Sequence, residues 1–161
     1  MPDRMPKVVL ALLAGLIALA LGSGAQAQAP KGLAGTWKLN AAKSKFSPGP
    51  APKSMTVTYT PAGDSIKIVV DVTPPEGPAQ HWEMTGNYDG KEYPVTGNPN
   101  ADMASFKLVN DRTGVSTFKK DGKVTATNRR VLSADGKTLT ITSKGRTADG
   151  KARNDLQVFE K

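Results

Sequence analysis

The sequence has no cysteine and one histidine among its 161 residues. The lack of cysteine excludes a disulfide framework, a thiolate nucleophile, a cysteine-type zinc site and a lipid-modified cysteine. The lone histidine, His81, excludes a multi-histidine metal centre. Aromatic residues are scarce, at 6%. No P-loop, G-x-G-x-x-G or G-x-S-x-G pattern occurs, so neither a nucleotide cofactor nor a hydrolase elbow has an evident site. No cofactor and no metal are expected.

The chain has one long apolar run. Arg4 and Lys7 precede residues 8–21, VVLALLAGLIALAL. Two overlapping small-residue sites follow, Ala25-Gln26-Ala27 and Ala27-Gln28-Ala29. A basic start, a short apolar segment and a small-residue cleavage site define a secretory signal peptide. The run is short of the roughly 20 residues that cross a bilayer. The reading is a signal-peptide helix over 1–27, cleaved after Ala27 or Ala29, and a single domain over 28–161. The destination is periplasmic or extracellular.

Beyond residue 27 the pattern has a period of two. Met55, Val57 and Tyr59 alternate with threonines, and Ile66, Ile68, Val70 and Val72 with Lys67 and Asp71. Trp82 and Met84, Phe106 and Leu108, Leu139 and Ile141, and Leu156 and Val158 repeat the pattern. Each puts one face inward and the other in water. All fifteen threonines lie in this part, which suits half-exposed pleated surfaces. Asp-Gly-Lys occurs four times, at Asp89, Asp121, Asp135 and Asp149, and Asp-Gly between alternating runs marks a hairpin. A calcium loop is the rival reading of these repeats, but no acidic ladder accompanies them.

Strands are expected at about 34–39, 54–60, 65–73, 80–88, 91–95, 103–109, 114–120, 123–133, 137–144 and 153–160. Short connections make neighbours antiparallel. The fold class is therefore all-β: an up-and-down meander of about eight to ten strands that closes into a barrel. A two-sheet sandwich or an open folded sheet is the alternative. Pro-rich segments 40–53 and 73–79, with 96–102, are where a lid or mouth would lie.

Gly35-Thr36-Trp37, followed by Leu39, resembles the G-x-W of the first lipocalin strand. The second lipocalin signature, T-D-x-x-x-Y, is not reproduced at Asp111-Arg112-Thr113. The resemblance implies a calycin-type barrel in which Trp37 plugs one end and a basic residue from a late strand packs across it. Arg153 is the counterpart it points to, with Arg129 and Arg130 as competitors. The layout also resembles small exported bacterial proteins of unassigned function, which implies no activity.

Candidate site residues follow from parity and charge. In an alternating strand, one of Arg129 and Arg130 must face inward. Arg130 shares its parity with Val124, Ala126 and Leu132, so it is the inward candidate. An inward guanidinium needs a carboxylate, a carbonyl cluster or an anionic ligand, or else it snorkels at the rim. Tyr59, Tyr93 and Phe106 are the aromatic residues expected to line a ligand site with it. His81 is expected in water, opposite the apolar face, and no catalytic residues are expected. A hydrolase using Glu83 or Glu92 is a weaker alternative.

Residues 28–105 hold seven basic and seven acidic side chains; residues 106–161 hold 13 basic and six acidic ones. One side of the barrel should therefore be basic. The leading reading is an exported, non-enzymatic, monomeric barrel that binds a small apolar or anionic ligand. The rival is an envelope-associated protein whose basic side, with Lys119, Lys120 and Lys123, binds anionic lipid or polysaccharide. Nucleic acid is not an expected partner, because no aromatics interleave with the basic residues.

Overall fold

The computed structural model describes residues 28–147 and 149–161; the signal peptide expected over 1–27 lies outside the described residues. Ten strands follow one another: β1 Gly35–Leu39, β2 Ser54–Ala62, β3 Ser65–Thr73, β4 Gln80–Gly86, β5 Asp89–Thr96, β6 Met103–Leu108, β7 Thr113–Lys120, β8 Lys123–Leu132, β9 Thr138–Arg146 and β10 Ala152–Glu160. Each pairs antiparallel with the next, and β1 pairs with β10, so the sheet is a closed meander. Closure satisfies backbone groups that an open sheet would leave along two edges. The only helix among the described residues is a 3-10 turn at Ala41–Lys43, capped by the Asn40 side chain.

The two ends of the barrel differ. Short turns join β2 to β3, β4 to β5, β6 to β7 and β8 to β9 at one end. Residues 30–34 pack across that end, with Leu33 fully buried and Gly32 against Leu132. Trp37 is buried too, and its indole N–H donates to the Leu33 carbonyl at 2.8 Å. Ile66, Leu132, Leu139 and Phe159 complete a solid plug. The Pro-rich segments after β1 and β3, and residues 97–102, surround the other end.

Alternation fixes most faces as expected, with three corrections. The basic group across Trp37 is Lys161, whose ammonium lies 4.6 Å from the ring centroid and donates to the Gly32 and Ala34 carbonyls. Arg153 sits at the opposite end, 2.6 Å from Asp155. In β10 the inward face is Asp155, Gln157 and Phe159, whereas Leu156 is exposed. Phe159 belongs to the plug and so sets the parity of the strand. Leu156 spends its backbone on Lys45, which extends the β1–β10 seam past the end of β1.

The third correction concerns Val124, which is exposed although it shares the parity of Arg130. A register shift between Phe118 and Lys119 inserts one residue into the β7–β8 ladder and flips the faces beyond it. The adjacent Asp121-Gly122 turn has positive φ at both residues, as a two-residue hairpin turn requires. Asp89-Gly90 behaves differently from the expectation. It lies inside β5, and the turn falls at Asn87 and Tyr88. β4 and β5 pair only at Glu83↔Thr96 and Met84↔Val95, so the chain between them is free to send Tyr88 inward.

Candidate functional site

Above the plug the interior is hollow. A cavity of about 480 Å³ opens to solvent between the Pro-rich segments. Its volume is within the range of sites that hold small organic molecules. Val57, Tyr59, Ile68, Val70 and Met84, from β2, β3 and β4, form one wall. Phe106 and Phe118 extend it, and the Trp82 ring meets Phe118 edge to face at 5.9 Å. The wall built from β7 to β10 is polar: Ser116, Asn128, Arg130, Ser143, Asp155 and Gln157.

Arg130 is the central side chain. It is 7% exposed and lies at the level just above Leu132 of the plug. Its Nη1 donates to the Tyr88 hydroxyl at 2.8 Å. The guanidinium carbon lies 5.5 Å from the Tyr88 ring centroid and 5.6 Å from that of Tyr59, within the range of a cation–π contact. Nε and Nη2 are buried with no hydrogen-bond partner. No ion pair among the described residues includes Arg130. The guanidinium therefore neither pairs with an inward acid nor reaches the rim, the two structural roles open to it from the sequence.

Gly114 makes room for it. The two residues face each other across the β7–β8 ladder, and a Cβ at 114 would stand 2.6 Å from Arg130 Nη2 and 3.2 Å from Cζ. Any side chain there would push the guanidinium off its position. Burial, the largest single influence, works against the charge on Arg130, but Tyr59 and Tyr88 oppose it and the net direction is upward. Arginine thus stays cationic. Burial pushes the Tyr59 hydroxyl above its usual 10.0, against the pull of Arg130, so it stays neutral at physiological pH.

Of the other charges at the site, Asp155 is matched and Arg146 is exposed at the mouth. Asp155 accepts from Arg153 Nε at 2.6 Å and from the Ser47 backbone N–H at 3.1 Å. Arg146, at the mouth, donates to the Gly150 carbonyl. Arg130 is the one buried cation of the lining without an acidic partner, and it has two unpartnered donors.

Of the residues singled out from the sequence, Tyr59, Phe106 and Arg130 stand on the cavity wall. Tyr93 does not. Its ring packs against Gly86 and stacks on Phe106 at 6.4 Å, and its hydroxyl donates to Asp89 at 2.8 Å. Its ring occupies the space that a Gly86 side chain would fill, so it packs against Phe106 of the wall without lining the cavity. Tyr88, Gly114, Asn128 and Gln157 escaped the sequence reading. A glycine inside a strand next to an inward arginine was the available signal for Gly114. Asn128 shares the face of Arg130, two residues away.

Glu83 and Glu92 face outward and pair with Lys67 and Lys119. His81 is exposed and bonds Asp71 at 2.6 Å. Of the three lysines proposed for an anionic surface, Lys119 and Lys120 are engaged by Glu92 and Asp102.

A closed up-and-down barrel with a tryptophan-sealed floor and an internal hollow is lipocalin-like in architecture. Among solved structures the chain is similar to a redesigned β-barrel, mFAP1, bound to DFHBI, at 15% identity and a TM-score of 0.47, over 84% of this chain and 100% of that one. It is also similar to the siderocalin Ex-FABP, described as functioning through dual ligand specificities, at 13% identity and a TM-score of 0.37, over 80% of this chain and 73% of that one. No family model and no curated protein matches the sequence.

Proposed function

We propose that this protein is an exported, non-enzymatic and monomeric barrel that binds a small amphipathic acid in its interior. One observation carries the reading: Arg130, on the cavity wall, holds two buried N–H groups that have no partner. A buried, unpaired charge is costly, and an incoming oxyanion offsets that cost with charge-assisted hydrogen bonds. Nε and Nη2 lie along one edge of the planar guanidinium, which matches the two oxygens of a carboxylate. The apolar part of the ligand then extends toward the mouth along β2, β3 and β4.

The test is calorimetric titration of the mature protein with dodecanoate. One molecule is expected to bind per chain and to be recovered unchanged. Arg130→Gln is expected to weaken binding at least tenfold, or about 1.4 kcal/mol. Failure to bind, or indifference to Arg130→Gln in a folded variant, overturns the reading.

A further inference from the structure

The polar wall is ordered in tiers by the strand register. Gly114, Arg130, Ile141 and Gln157 lie in one row across β7, β8, β9 and β10. Ser116, Asn128, Ser143 and Asp155 lie in the next row toward the mouth. The rows are about 6.6 Å apart, two residues along a strand. In the second row the Asn128 side-chain oxygen is buried without a partner. Ser143 beside it is also buried and on the cavity wall. The charge of Asp155 is matched by Arg153. The opposite wall, Val57, Ile68, Val70 and Met84, is apolar at this level; its polar groups are the Tyr59 phenol, the Trp82 indole and the Gln80 amide at the mouth end of β4.

A plain acyl chain would satisfy Arg130 and leave the second row dry and unpaired. A buried acceptor without a donor costs about 1–3 kcal/mol. We infer that the ligand is a hydroxylated acid with one polar edge: its carboxylate on Arg130, a hydroxyl donating to Asn128 Oδ1 one row nearer the mouth, and its apolar side against β2, β3 and β4. The inference rests on the acid-binding reading and adds the second polar group and its spacing. The sixth carbon of an extended acyl chain lies about one such row from its carboxylate.

The test compares dodecanoate with 6-hydroxydodecanoate by calorimetry, on wild type, Arg130→Gln, Asn128→Leu and Asn128→Ala. Wild type is expected to prefer the hydroxylated acid at least fivefold. Both Asn128 variants are expected to lose that preference while holding dodecanoate at least as well as wild type. Arg130→Gln should weaken both acids. If wild type binds the two equally, or prefers dodecanoate, the inference falls while acid binding stands. A preference that survives in whichever Asn128 variant folds also overturns it. If neither acid binds, the acid-binding reading fails and takes the inference with it.

Discussion

Arg130 and Gly114 form a matched pair whose function conflicts with stability. A buried cation with one neutral hydrogen bond is a destabilising element of the empty protein, and a well-packed apolar side chain of similar length removes it. Arg130→Met is expected to raise the unfolding free energy of the ligand-free protein by about 1–3 kcal/mol, read from urea melts. Gly114→Ala drives a Cβ into the guanidinium and should cost about 1–3 kcal/mol. Combined with Arg130→Met, the cost of Gly114→Ala should largely vanish, which a double-mutant cycle measures directly. Additive effects would show that the two do not meet. The sequence places Arg130 inward because alternation allows only one of two adjacent arginines to face water. Tyr88 reads as the last residue of strand 80–88, sharing the parity of Trp82 and Met84, but nothing in the sequence pairs it with Arg130; in the structure it lies in the turn where β4 and β5 part.

Among the elements, β10 shows where a local pattern misleads. Leu156 and Val158 look like the buried pair, yet Asp155, Gln157 and Phe159 face inward. The strand serves two environments: its end meets the apolar plug, while its middle lines a polar cavity wall. Phe159→Ala is therefore expected to cost about 3–5 kcal/mol in urea unfolding. Leu156→Ser should stay within about 0.5 kcal/mol. The reverse order would refute this register. Strands whose inner face is apolar throughout, such as β3, were legible because burial and alternation coincide there. β8 was legible only as far as its register shift, since nothing in Thr125 and Ala126 announces an extra residue. Loop positions at the mouth followed from clustered prolines, which disfavour a ladder, although single prolines stand in β2 at Pro61 and in β5 at Pro94.

For the whole molecule, exposed ion pairs and hydrogen bonds set the response to acid. Lys67 holds the Glu83 carboxyl below its usual 4.5, and Lys43, with Asn40, does the same for Glu160. The Lys91 backbone N–H lowers Asp89, the Ser133 hydroxyl lowers Asp135 and the Lys151 ammonium lowers Asp149, each from 3.8. Carboxylates depressed in the folded state stabilise it above the ordinary values, and that contribution is lost as the pH falls through the folded ones. The urea midpoint is expected to drop as the pH goes below 4.5, less steeply in high salt because these groups are exposed. A midpoint that rises on acidification contradicts this.

The seam between β1 and β10 has a kinetic consequence. Nine of the ten strand pairings join consecutive segments, whereas this one joins residues up to 122 positions apart, as in the Lys38↔Glu160 pair. Its loop-closure entropy is the largest in the sheet. The nine local hairpins can zip together one after another, but the hollow has no complete wall until this distant pair meets. If this pair docks last, Arg130 faces an open trough until then, and a molecule present at that moment meets its guanidinium before the floor is sealed.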